Sequence, residues 1–183
     1  LLWLHRDMEL LRMALGRIEN RQLNGAKGIE FQAFSQNGED GIIQYLVQNL
    51  PISAKKFVEF GVENYMESNT RFLLEHDNWT GLVLDGSEKN IRYIQNDDIY
   101  WRFDLQARQA FITRENINEL LRQGGMSGHI GLLSIDIDGN ETEGESNEEL
   151  VQHLVSTGYT HRPLNYYFEN EQPRFTFRID LDR

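Results

Sequence analysis

Apolar and polar positions follow two rhythms along this chain. From residue 2 to about 23, Leu4, Met8, Leu11, Leu15 and Ile18 are separated by alternating steps of four and three, with Arg6, Asp7, Glu9, Arg12, Arg17 and Glu19 between them. That spacing predicts one helix with an apolar seam of the coiled-coil kind. The run of Asn24, Gly25, Ala26, Lys27 and Gly28 then breaks the pattern. A second helix is expected up to Leu50, stopped by Pro51. Ser35 or Asn37 is its expected cap, and Glu39 and Asp40 suit the positive end of its dipole.

Beyond Pro51 short apolar runs alternate with helical spacings. Strands are expected over 57–62, 82–85, 99–103 and 130–137, and helices over 68–75, 88–95 and 113–123, the last capped by Thr113. Strands alternating with helices imply a parallel sheet covered on both faces. Right-handed crossovers then bring all strand C-ends to one edge, where open α/β sheets hold their ligands. Asp85, Asp104 and Asp136 are each expected at such an end. After Asn140 the sequence becomes acidic and turn-like. It then gives a helix over 147–156 and two strands, 159–168 and 174–181, close enough for an antiparallel hairpin. This divides the chain into an N-terminal helix, 1–23, and a Rossmann-like α/β domain, 24–183, divergent after 140.

Chemistry concentrates at two strand ends. Phe57-Val58-Glu59-Phe60-Gly61 and Leu82-Val83-Leu84-Asp85-Gly86-Ser87 each run from apolar residues into an acid beside a glycine. Their separation is near the ~20-residue offset at which an acid meets a ribose. Glu63 in the first turn would repel a pyrophosphate, and no Gly-Lys-Ser/Thr follows. A nucleoside ligand without phosphates and with a positive charge therefore fits better than a dinucleotide, and S-adenosylmethionine has those properties. An acid serving a ligand in this way implies that Asp85→Ala weakens binding and leaves the free protein's stability nearly unchanged.

Residues 34–140 resemble a class I S-adenosylmethionine-dependent methyltransferase of the FkbM-like family. The resemblance rests on Ser35-Gln36-Asn37-Gly38-Glu39-Asp40, Phe57-Val58-Glu59-Phe60-Gly61, Leu84-Asp85-Gly86-Ser87 and Ser134-Ile135-Asp136-Ile137-Asp138-Gly139-Asn140-Glu141. It implies that Glu59 and Gly61 line the methionine end of the cofactor. It implies that Asp85, with Gly86 and Ser87, holds the ribose, that Asp104 lies near the adenine, and that Asp136 sits at the reacting end with Asp138 beside it. The implied activity is methyl transfer to an oxygen of a sugar or small metabolite. The alternative is a degenerate ligand-binding or interaction domain, because the first turn has a single glycine and the family's fifth strand is missing. Either the final hairpin pairs directly with the fourth strand, or the chain is a divergent or truncated version of the fold.

The formal charge of −11 and the lack of clustered Lys and Arg exclude nucleic acid as an expected partner. There is no cysteine, so disulfides and thiolate-bound zinc are ruled out. No apolar run reaches the ~20 residues of a membrane span, and a cytoplasmic location is the expectation. The segment from Asp136 fails the calcium-loop order, since its sixth residue is Glu141 and its twelfth Asn147, so no metal is expected. None of the histidines is placed to act as a base; His129 precedes the fourth strand, at the wrong edge. The N-terminal seam, residues 4–18, makes a homodimer an open alternative to packing on the same chain.

Overall fold

The computed structural model describes residues 2–22, 29–135, 147–157, 160–164 and 176–182. The chain starts with α1 (Leu2–Gln22) and α2 (Glu39–Asn49). The alternating part follows as β1 (Lys56–Phe60), α3 (Arg71–Asp77), β2 (Thr80–Asp85), α4 (Glu88–Asn96), α5 (Asp98–Arg102), β3 (Leu105–Gln109), α6 (Ile117–Gln123) and β4 (Ile130–Ile135). The C-terminal elements are α7 (Asn147–Ser156), β5 (Thr160–Leu164) and β6 (Thr176–Asp182).

The six strands form one sheet in the order β3-β2-β1-β4-β6-β5. The first four are parallel, and β6 runs antiparallel to both β4 and β5. The direct pairing of β6 with β4, with Ser134 opposite Phe177, closes the sheet without an intervening strand. Of the two closures the sequence leaves open, this is the direct pairing of the hairpin with the fourth strand, and the order β3-β2-β1-β4 is that of a Rossmann-like sheet. The connection 165–175 lies outside the described residues.

Both faces of β1, β2 and β4 are buried because residues of opposite parity on each strand meet different helices. Phe57, Val83 and Leu132 pack with Leu73, Leu74 and Ile91 on one face. Val58, Phe60, Leu82 and Leu133 pack with Leu121 and Leu150 on the other. A third cluster, Met13, Phe31, Ala33, Phe34 and Phe72, fixes α1 to the domain.

Three expectations need correction. Residues 99–103 are not a strand: 98–102 form α5, with Asp97 accepting a hydrogen bond from the Ile99 amide at 3.0 Å as its cap. The β-branched and aromatic run imitates a strand, but Ile99 and Phe103 are one helical turn apart and share one face of the core. The strand is instead Leu105–Gln109, where Leu105 and Ala107 are buried and alternate with half-buried Gln106 and Arg108. Thr113 is not a helix cap either, since α6 starts at Ile117 with Asn116 before it.

The third correction concerns α1. Its domain-facing residues are Glu9, Met13, Gly16 and Asn20. The Glu9 carboxylate meets Arg71, and the Asn20 side-chain oxygen accepts from Gln48 Nε2 at 2.6 Å. Gly16 lies against Phe72 so closely that a Cβ there would come within 2.6 Å of the ring. The apolar seam is therefore not what packs on the domain: Met8, Leu11, Leu15 and Ile18 are 49–62% exposed.

Candidate functional site at the C-terminal sheet edge

The parallel register puts Phe60 beside Leu84 on one side and Ile135 on the other. The C-ends of β1, β2 and β4 thus share one edge. The chain leaves β1 through Gly61, whose amide donates to the Leu84 carbonyl at 3.0 Å and whose φ is 75°. Two more residues of this turn, Glu63 and Tyr65, also have positive φ, 48° and 63°. Side chains with a Cβ adopt that region at a cost of roughly 1–2 kcal/mol each, so something must hold the turn in place.

Two buried carboxylates hold it. Asp85, 1% exposed, accepts from the Glu63 amide at 2.7 Å through Oδ2. Its Oδ1 accepts from the Ser87 amide at 2.8 Å and from Asn90 Nδ2 at 3.0 Å. The end of β2 is thereby tied to the turn after β1 and to the start of α4. Glu59, 2% exposed, accepts from the Asn69 amide at 3.0 Å and from the Thr70 amide and hydroxyl at 3.2 and 2.6 Å. Ser134 on β4 donates to the same carboxylate at 3.5 Å. Tyr65, fully enclosed, hydrogen-bonds Thr70 Oγ1 at 3.0 Å. Burial, reinforced by the nearby Glu59 charge, pushes its phenol well above the usual range, so it stays neutral.

The segment 33–40 completes this edge. Asp40 Oδ2 accepts from the amides of Ala33, Phe34 and Ser35, each at 2.8 Å, and from the Ser35 hydroxyl at 2.9 Å. Ser35 Oγ in turn accepts from the Asp40 amide at 3.1 Å, but the residue at the cap position of α2 is Gly38 and not Ser35 or Asn37, because the chain turns into the helix with a φ of 91° there. Burial outweighs these bonds and raises the Asp40 carboxyl above its ordinary value. The Phe34 carbonyl takes the Ser68 amide at 3.2 Å, and Gln36 donates to Glu67 at 3.3 Å. The Ser35–Asp40 motif is thus stitched to the loop that follows β1. Beneath it, Arg71 reaches Glu75 at 2.7 Å, the Tyr65 carbonyl at 3.3 Å and Glu9, with its guanidinium 4.6 Å above the Phe34 ring.

The structure therefore brings together Glu59, Gly61, Asp85, Gly86 and Ser87. It does not bring Asp104 to them. That residue precedes β3, and its carboxylate accepts at 2.8 Å from Oγ1 of Thr80, the first residue of β2. Asp104 stands at the opposite, N-terminal edge, because the strand is Leu105–Gln109 and not 99–103. The residues at the correct end of β3 are Gln109, which donates to the Gly86 carbonyl at 3.1 Å, and Phe111. The Phe111 ring is 50% exposed and so close to Gly86 that a Cβ there would meet it at 2.9 Å. Asp136 and Asp138 lie outside the described residues. Three donors from two neighbouring segments converge on the Asp85 carboxylate, which speaks against the expectation that it is dispensable for stability.

Sequence reasoning missed Asn69, Thr70, Asn90 and Phe111. Asn69 and Thr70 carry no motif that a reading of strand ends would select, and Phe111 required the correct boundary of β3. Among the described residues no three His, Cys, Asp or Glu side chains cluster as a metal site, and no helix is long and apolar enough to cross a membrane. His129 is exposed and pairs with Ser53 at 3.0 Å at the N-terminal edge of β4.

The geometry can be tested against a nucleoside that carries a sulfonium. Each carboxylate oxygen has two acceptor positions. Asp85 Oδ1 uses both, while Oδ2 accepts one bond and keeps a position for one ribose hydroxyl. Gly86 is buried and lacks the side chain that would displace Phe111, so the half-exposed Phe111 ring lies over it and offers one face of the kind a purine stacks on. The residues present fit such a ligand at these two points.

No family model matches the chain, and no curated protein matches it. Among solved structures, it is similar to M. capricolum TrmK in complex with S-adenosyl-homocysteine, at 10% identity over 75% of this chain and 66% of that one, with a TM-score of 0.42. It is similar to the CurJ carbon methyltransferase at 15% identity over 79% and 52%, TM-score 0.44, and to EvdMO1 at 15% identity over 91% and 47%, TM-score 0.41. The chain spans about half to two-thirds of the length of these proteins.

Proposed function

We propose that this chain binds S-adenosylmethionine at the C-terminal edge of β1 and β2 and transfers its methyl group to an oxygen of a sugar or small metabolite. The observation that carries the reading is the Asp85 carboxylate. It fixes the first turn and the start of α4 and still has one acceptor position, next to the Gly86–Phe111 surface. Asp85 would take a ribose hydroxyl, Gly86 and Phe111 would flank the base, and Gly61 would let the backbone approach the methionine end. Glu59 acts indirectly, by holding the 68–70 loop through two amides and a hydroxyl. An acidic chain, −11 in formal charge, favours a cationic ligand over an anionic one.

When bound, the sulfonium supplies an electrophilic methyl group. The protein's part is to hold the acceptor oxygen in line and keep water out, since positioning supplies much of the rate of such a displacement. Asp136 and Asp138, which follow β4 in the sequence, are the proposed residues at the reacting end, where a carboxylate would take the hydroxyl proton of the acceptor. Cytoplasmic residence belongs to the same proposal.

A second reading is a binding domain without chemistry. What favours it is the first turn, where Glu63 and Tyr65 fill left-handed positions that glycine would occupy without strain. Calorimetry separates these readings from failure of the site. Saturable binding of S-adenosylmethionine and S-adenosylhomocysteine is expected, together with transfer of labelled methyl to a sugar pool. Binding without transfer to any hydroxyl acceptor supports the second reading. A folded chain that shows no saturable binding at millimolar ligand refutes methyl transfer and leaves the second reading as an interaction domain that does not take this cofactor.

A further inference from the structure

α1 uses one face to dock on the domain and leaves a second, opposite face open. Counting 100° per residue, the docked residues Glu9, Met13, Gly16 and Asn20 centre about 150° around the helix from Met8, Leu11, Leu15 and Ile18. The docked contacts are largely polar or small, while the outer face is an apolar stripe about three helical turns long with every one of its four members 49–62% exposed. Leu4 extends its spacing in the sequence.

We infer that this face is the seam of a parallel, two-stranded coiled coil with a second copy of the same chain. The steps of three and four place Met8 and Leu15 at the a positions and Leu11 and Ile18 at the d positions of a heptad. The flanking e and g positions are then Arg12 and Glu19, and Asp7, Ala14 and Arg21. In a parallel pair each g residue faces the e residue five positions on in the other helix. Asp7 then faces the partner's Arg12, twice by symmetry, and Ala14 faces the partner's Glu19. No like charges meet. In an antiparallel pair the same seam would bring Asp7 to the partner's Arg21 but set Arg12 against the partner's Arg12 at its centre.

A stripe of this length is marginal as a free peptide, because helix formation must be paid for out of a short seam. Here that cost is already met: docking through Met13 and Gly16 holds α1 helical in the single chain, which leaves the seam preorganised for association. A lipid surface is the poorer occupant. α1 carries acidic as well as basic residues beside the stripe, and a chain of formal charge −11 is repelled by anionic headgroups.

The test is sedimentation of the full chain from micromolar to near-millimolar concentration. A monomer–dimer equilibrium is expected. Leu11→Glu with Leu15→Glu should weaken it at least hundredfold without lowering the melting temperature of the monomer, since neither residue belongs to the docked face. Asp7→Arg alone should also weaken it, and Asp7→Arg with Arg12→Asp should restore it. A monomer at every concentration overturns the inference, as does a dimer that survives the double Glu substitution. Failure of the charge swap to restore association overturns the parallel register. Binding of the monomer to anionic vesicles through the same stripe would assign the face to a membrane surface and refute the dimer.

Discussion

Replacing Asp85 by alanine should cost the ligand-free protein about 3–4 kcal/mol. Three donors converge on its carboxylate: the amides of Glu63 and Ser87 and the Asn90 side chain, at 2.7, 2.8 and 3.0 Å. Hydrogen bonds to a charged group contribute ~1.5–3 kcal/mol each, so the gross loss is roughly 4.5–9 kcal/mol. The three donors are only partly buried, and water recovers part of that once the carboxylate is gone. For a domain of this size each kcal/mol moves the melting temperature by roughly 2–4 °C, so a drop of about 10 °C is expected by circular dichroism. Asp85→Asn is the informative companion. It keeps one acceptor oxygen, but its NH2 must face at least one of the three donors, so it should lie between the parent and the alanine variant. In the same variant, affinity for S-adenosylmethionine should fall roughly ten- to hundredfold, the worth of one charge-assisted bond of ~1.5–3 kcal/mol. If Asp85→Ala melts within about 2 °C of the parent, the carboxylate does not hold the turn and the reasoning fails. If Asp85→Asn stays folded and binds the cofactor undiminished, Asp85 does not touch the ribose.

Arg71→Met should destabilise the protein by about 3 kcal/mol, because it leaves Glu9 and Glu75 facing each other in a half-buried site; adding Glu75→Leu should recover part of the loss in urea melts, and no recovery would argue that the guanidinium acts through Phe34 and not through its charge. Gly16→Val should undock α1, since its Cβ would fall 2.6 Å from the Phe72 ring; hydrogen exchange should quicken in residues 6–21 while β1 to β4 stay protected, and unchanged exchange would refute the docking. Burial raises the Asp40 carboxyl above 3.8, so its contribution to stability is fully present below that pH and is lost as pH rises through the raised value. Compared with Asp40→Asn, the parent should therefore lose ground over that window, and a constant difference in urea midpoint between the two from pH 3.5 to 7 would contradict this.

Much of the fold was legible because it rests on local periodicity. The runs at 57–60, 82–85 and 130–135 are apolar on both faces, as strands buried between two helix layers must be. The breakers at Pro51 and Gly124-Gly125 fall where helices end. From those elements and the handedness of crossovers, the edge that gathers Gly61, Asp85 and Gly86 followed, whereas the direct pairing of the final strand with β4 was one of two alternatives that only the structure separates.

Tertiary structure decided what local pattern could not. Ile99 to Phe103 has strand-like composition, yet Asp97 caps it as a helix and the core receives it at i, i+4 spacing. That shift moves Asp104 to the far edge and brings Phe111 to the near one. The acids Glu59 and Asp85 were visible as chemistry, but their donors come from residues up to 75 positions away, so only the folded chain shows that both are structural anchors of the loop as well. The seam of α1 was equally plain in the sequence. Which face of an amphipathic helix meets its own domain depends on the shape of the surface it lands on. Here the surface around Phe72 and Arg71 accepts a glycine and a carboxylate, so the apolar stripe is the face left over.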